Sequence, residues 1–156
     1  MSGDTGRVRI IVVGIDGSAG SMNALRWAIR HSSTGDLIRA VYVWQVYRGA
    51  LPHLVPLSEI EALRPEADQF VADTVESVVR ELGIEPDAAI ERVSYYGHPG
   101  KWLAKLSQEV DLVVVSRRGH SNVPTLLLGS VSSYVVHHAH CPVAVIPEDR
   151  SVDSSS

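Results

Sequence analysis

Five short apolar runs, rich in β-branched residues, recur along the chain, and a stretch with helical spacing or turn chemistry separates each from the next. The runs are Val8–Val13, Leu37–Val43, Ala88–Tyr95, Leu112–Val115 and Val143–Ile146, the last closed by Pro147. Between them, Met22, Leu25, Ala28 and Ile29 mark a helix over Ser21–His31. Ile60, Leu63, Phe70, Val71, Val75, Val78, Val79 and Leu82 mark the inner face of a longer one over Ser58–Leu82. Pro65 should kink that helix or restart it, and Gly83 should stop it. Leu103 and Leu106 belong to a short helix after Gly97-His98-Pro99-Gly100, and Gly129–His138 is the last, with Val131, Tyr134 and Val135 inward. Strands joined through helices require parallel pairing and right-handed crossovers, so the pattern predicts an α/β fold with an open, five-stranded parallel sheet.

In such sheets ligands bind beyond the carboxyl ends of the strands, where the strand order reverses. That rule selects three loops, Gly14–Ser21, Gly97–Gly100 and Ser116–Ser130, and the Gly, Asp, Pro and Ser residues cluster in them. The third, SRRGHSNVPTLLLGS, follows a buried-strand run and ends at the start of a helix. Free N–H groups and the positive end of the helix dipole there favour an anion, and glycine admits a phosphate close to the backbone. Segment Trp44–Leu57 has no clean periodicity and reads as a loop or lid.

Composition narrows the function classes. The 156 residues, 45% hydrophobic and 21% charged, suit one globular domain over 8–148, with disordered ends at 1–7 and 149–156. A net charge of −4 argues against nucleic acid as the main partner. No apolar run is long enough to span a bilayer, and MSGDTGR lacks a signal-peptide core, so the expected location is the cytoplasm. The single Cys141 suits a reducing compartment and reads as a small core residue.

Competing motifs are weak. GxxxxGK[ST] is absent, and GIDGSAG lacks the glycine order of a dinucleotide site. His137 and His138, adjacent on a helix, point to different faces, so the cluster His137-His138-Ala139-His140-Cys141 suits a helix C-terminus better than zinc. A Ser18, His98 and Asp16 triad lacks the GxSxG elbow. Neither an SGGxDS loop nor an HxGH pair supports nucleotidyl transfer.

SRRGHSNVPTLLLGS resembles the ATP-binding signature of universal stress proteins: a Gly, two residues, a second Gly, nine residues, then Gly-Ser or Gly-Thr. VVGIDGS, GHPGKWL and SVSSYVVHHAHCPVAVIP resemble the same family in order, from about Val8 to Pro147. The resemblance implies strand order 3-2-1-4-5 and an ATP site, with Mg²⁺ as a possible companion of the nucleotide. Gly14, Ile15 and Asp16 would meet the adenine edge, Val43 would pack on the base, and Gly97 and Pro99 would lie near the ribose. Gly119, Gly129, Ser130 and Val131 would hold the phosphates. Ser116 takes the place of the first signature glycine. At positive φ it would carry strain on the order of 1 kcal/mol, and at negative φ it fits and adds a hydroxyl. Arg117 and Arg118 share the loop, and Arg118 is either a phosphate clamp or a solvated arginine.

The resemblance further implies a nucleotide-occupied switch in a stress response, with a homodimer through Val143–Ile146 and an unidentified protein partner. The alternative is a nucleotide-free interaction module, with Ser116 as its sequence support. No machinery for phosphate cleavage is evident. Slow hydrolysis or self-phosphorylation, as in some relatives, would have Ser130, Ser132 or Ser133 as acceptors.

Overall fold

The computed structural model describes residues 6–46, 55–119 and 128–148. In chain order its elements are β1 (Ile10–Ile15), α1 (Ala19–Arg30), β2 (Leu37–Trp44), α2 (Leu57–Leu82), β3 (Ala89–Tyr96), α3 (Pro99–Leu106), β4 (Leu112–Ser116), α4 (Ser130–His138) and β5 (Val143–Ile146). The sheet order is β3-β2-β1-β4-β5 with every neighbouring pair parallel. That is the order implied by the family resemblance.

Alternation along the strands divides the core between two faces. Ile11, Val13, Ile38, Ala40 and Val114 meet α1 and α2 through Ala24, Leu25, Ala28, Val71, Val75 and Val78. Val12, Val41, Val113 and Val115 meet α3 and α4 through Leu103 and Val135. Strands covered on both sides read as unbroken apolar runs, which is why Ile11–Val13 and Val113–Val115 show no polar alternation. Burying each such valine or leucine contributes roughly 1.5–3 kcal/mol.

Several boundaries differ from the sequence reading for definable reasons. β1 begins at Ile10, two residues after Val8, which is exposed; the Ile10 amide donates to Asp111 Oδ2 at 2.8 Å, and Arg7 pairs with the other oxygen at 2.9 Å. α2 passes through Pro65 without a restart. Pro65 is exposed, as is Glu61, whose carbonyl the proline ring leaves without its helical donor. The fully covered face of α2 is Ala67, Val71, Thr74, Val75 and Val78, whereas Ile60 and Leu63 are only partly covered. Gly83 does end the helix: at φ +63° its amide reaches the Val79 and Arg80 carbonyls, each at 3.2 Å. On α4, Ser132 joins Val135 in full burial, while Val131 and Tyr134 are half-buried. Most of the expected loop Trp44–Leu57 and most of the expected disordered ends lie outside the described residues. Trp44 itself is the buried last residue of β2.

Candidate functional site

β1 and β4 are sheet neighbours whose following helices, α1 and α4, lie on opposite faces. Their carboxyl ends therefore part, and a cavity of about 250 Å³ opens there. One end is apolar, walled by Ile15, Val41, Val43, Leu103 and Val115; the other carries Asp16, Ser21, Ser116, Gly119 and the first turn of α4.

The polar end is built from backbone. Gly129, extended at φ −71° and ψ 171°, is the N-cap of α4 and offers no side chain to the helix. Its amide donates to the Arg117 carbonyl at 2.7 Å, and its carbonyl accepts the first helical bond from Ser133 at 2.9 Å. The amides of Ser130, Val131 and Ser132 lie at the helix start, where no intrahelical acceptor exists, and meet no acceptor among the described residues. Ser132 Oγ is turned inward, donating toward the carbonyls of Arg117 at 2.9 Å and Gly129 at 3.2 Å. Of the three serines considered as phosphate acceptors, Ser132 is thus buried and committed, Ser133 half-buried and Ser130 exposed.

Asp16 stands at the mouth of β1. One carboxylate oxygen accepts from the Ser18 amide at 2.9 Å and from the Ser18 hydroxyl, and the other lies against Gly119, where a Cβ would collide with it. Ser18 in turn caps α1, accepting from the Ser21 amide at 3.1 Å. The Asp16 charge is felt by Tyr42, whose hydroxyl is pushed up chiefly by burial and secondarily by that carboxylate. Ser18 and Asp16 are therefore joined as a helix cap, while His98 caps a different helix, α3, by accepting from the Lys101 amide at 3.2 Å.

Ten of the twelve expected site residues line this cavity: Gly14, Ile15, Asp16, Val43, Pro99, Ser116, Gly119, Gly129, Ser130 and Val131. Gly97 and Arg118 stand beside it. At φ +144°, Gly97 lies where a Cβ would come within 2.7 Å of Trp102 Nε1, which donates to the Tyr96 carbonyl at 2.9 Å. Its role is to seat that indole under the turn that delivers Pro99. Arg118 contributes backbone behind the loop, and its buried Nε meets no partner among the described residues. Ser116 carries no left-handed strain, since no non-glycine residue has positive φ among the described residues. Its hydroxyl donates to the Arg118 carbonyl at 2.8 Å.

Ser21, Val41, Leu103 and Val115 also line the cavity and were missed, and Ser132, expected only as a phosphate acceptor, lines it too. Val41 sits two residues from Val43 on the same sheet face, which period two marks as core as readily as ligand wall, and Val115, next to Ser116, carried no signal beyond its place near the end of the strand. For Leu103 the only signal was helical spacing, which marks core and ligand wall alike. Outside the cavity, the Nδ1 atoms of His137 and His138 donate to the carbonyls of Ser133 and Tyr134 at 2.7 and 2.8 Å. Burial pushes the Cys141 thiol up, which disfavours a reactive thiolate.

A profile described as the universal stress protein family matches residues 7–147. The chain belongs to the universal stress protein family. A universal stress protein of Mycobacterium tuberculosis strain H37Rv is 34% identical over 152 residues, covering 89% of this chain and 48% of that protein. This universal stress protein thus spans about half the length of the mycobacterial relatives it matches. Among solved structures, the universal stress protein UspA of Lactobacillus plantarum superposes with a TM-score of 0.66 at 27% identity, covering 90% of this chain and 98% of that one. Another universal stress protein, solved in complex with cAMP, has a TM-score of 0.60 at 23% identity, covering 90% and 98%, and shares the fold. No helix among the described residues is long and apolar enough to cross a membrane.

Proposed function

We propose that the chain binds an adenine nucleotide, ATP, and works as a nucleotide-occupied switch rather than as a robust catalyst. The supporting observation is the cavity itself, with an apolar slot at one end and, at the other, three helix-start amides that meet no acceptor among the described residues. A base packs in the slot between Val43 and Leu103, and phosphates lie along Gly119, Gly129, Ser130 and Val131. The volume of about 250 Å³ is just under the usual range of ligand clefts, which suits a nucleoside inside and phosphates at the mouth. Asp16 is the one carboxylate among the described residues on this wall, and Mg²⁺ carried by the nucleotide would offset its repulsion of the phosphates. Family membership supports the nucleotide, and the relative solved with cAMP makes a cyclic nucleotide the natural competitor. Ser116 was the sequence support for a nucleotide-free module, and its backbone, free of left-handed strain, favours the nucleotide reading over that alternative.

Binding without turnover still transmits a signal, because a ligand shifts populations by its differential affinity for two states. The switch reading therefore predicts no stoichiometric release of AMP or pyrophosphate. The test is to denature the purified protein and identify released small molecules by mass spectrometry, then to titrate emptied protein with ATP and with cAMP. ATP bound at one equivalent supports the reading, and Gly129→Ala should weaken occupancy without abolishing it, since its Cβ would stand 3.3 Å from Arg118 Cα and the loop must give by a few tenths of an ångström to admit it. No bound nucleotide and no heat at millimolar ATP would overturn it. Tighter binding of cAMP would reassign the ligand.

A further inference from the structure

We propose that Ser116 is a positioning residue that presets the phosphate loop, so that restoring the glycine of the family pattern weakens nucleotide binding. The inference rests on the nucleotide reading of the cavity. Ser116 Oγ donates to the Arg118 carbonyl at 2.8 Å. That carbonyl and the Gly119 N–H belong to one planar trans peptide, in which the two groups point in opposite directions. Holding the oxygen on Ser116 therefore turns the Gly119 N–H to the other side. Gly119 N lies 3.6 Å from where a Cβ on Gly129 would stand, beside the start of α4. A peptide next to glycine rotates easily, and the hydroxyl selects one orientation of it.

Two further bonds clamp Arg117. The Arg117 amide donates to the Ile146 carbonyl at 2.8 Å, and the Arg117 carbonyl accepts from Gly129 at 2.7 Å. Without the Ser116 hydroxyl, the Arg118–Gly119 peptide is left with no clamp among the described residues. A second residue fits the same account from the opposite side. A Cβ on Gly20 of α1 would stand 2.9 Å from the Arg118 oxygen and 3.2 Å from Ser116 Cβ. Gly20 does not line the cavity, yet the room it leaves is what lets the Ser116 side chain and the Arg118 carbonyl occupy their places.

The test is calorimetric titration of ATP and, separately, adenosine into the emptied full chain and its Ser116→Ala, Ser116→Gly and Gly20→Ala variants. Loss of one neutral hydrogen bond corresponds to about a fivefold change in affinity. Ser116→Ala and Ser116→Gly are expected to bind ATP about fivefold more weakly and adenosine unchanged, because only the phosphates meet the preset amide. Gly20→Ala should lose ATP affinity in the same selective way, and adding it to Ser116→Gly should cost no more than Ser116→Gly alone. Melting temperatures show which variants fold, and Ser116→Ala alone suffices if Gly20→Ala does not. Equal or tighter ATP binding by Ser116→Gly and Ser116→Ala overturns the proposal while leaving the nucleotide reading intact. Parallel losses for ATP and adenosine overturn it as well, since they mark general damage to the site. A blank wild-type titration removes the nucleotide reading and this inference with it.

Discussion

Two carbonyl oxygens, those of Arg117 and Gly129, converge on the hydroxyl of Ser132, a residue only 2% exposed. Arg117 O is served twice, by this hydroxyl and by the Gly129 amide, so the two ends of the signature loop are tied together at one atom. Ser132→Ala deletes the donor yet leaves Arg117 O with its amide partner, so no carbonyl on that side is orphaned. The expected loss is about 1 kcal/mol of stability, the net worth of a buried neutral hydrogen bond. A urea titration read at unchanged slope measures it, and a loss above about 3 kcal/mol would mean the hydroxyl does more than tie the loop. Ser116 illustrates what a residue letter hides. The sequence shows a serine where a glycine belongs, but not the sign of φ, which follows from the path of the chain through β4 and the loop. Likewise Gly97 and Gly129 look alike as letters, while one has φ +144° and seats an indole and the other has φ −71° and is the N-cap of α4.

Among the elements, the residue before β1 and the turn before β2 are joined by a guanidinium–carboxylate pair. Arg9 gives Asp36 Oδ2 two bonds, from Nη2 at 2.6 Å and Nε at 3.2 Å, and the Ser33 amide adds a third at 2.8 Å. The Arg9 hydrogen bond, reinforced by the Ser33 amide and the Arg9 charge, holds the Asp36 carboxyl below its ordinary range. A carboxyl whose pKa is lower in the folded than in the unfolded chain stabilises the fold fully above the unfolded value, about 3.9, and loses that contribution as pH falls through the folded value. Asp36→Asn should therefore be less stable than wild type at pH 7, with the gap closing below about pH 4. Urea midpoints for both proteins from neutral pH downward check this; a gap independent of pH would assign the effect to geometry and not to charge. Helices and strands at this scale were largely legible, because runs such as Ile11–Val13 and the Val71, Val75, Val78 stripe have unambiguous periods. Their ends were not. β1 starts where the Asp111 carboxylate, 101 residues away, meets an amide, and no local pattern carries that contact. Strand order was likewise beyond periodicity, since valine runs buried on both faces look the same at any place in the sheet, and the family resemblance supplied it. In the candidate site the glycine-bearing loops stood out, whereas Val41, Leu103 and Val115 were indistinguishable from core.

At the scale of the whole molecule, β5 is the edge beside β4, and its backbone has one side to spare. The Pro142 and Ile146 carbonyls accept from Val113 and Arg117 of the β4 side, at 3.1 and 2.8 Å. In a parallel ladder the bonding direction alternates, so the N–H and C=O groups of Val143 and Val145 point away from β4. An edge of this kind, short and lined by valine without a charged gatekeeper, is a template for pairing with a second copy. Dimerisation through Val143–Ile146 then predicts a specific sensitivity. Val145→Pro removes an outward donor and no donor to β4, so it should shift a dimer toward monomer while thermal stability at high dilution changes little. Sedimentation equilibrium across a hundredfold concentration range reads the outcome directly. A wild type that stays monomeric throughout, or a Val145→Pro variant that dimerises as well as wild type, would remove β5 backbone pairing as the basis of assembly. A variant that is monomeric and still binds nucleotide would separate assembly from occupancy, as expected for a cavity whose described walls all come from β1, β2, β4 and the helices and loops that follow β1, β3 and β4 within one chain.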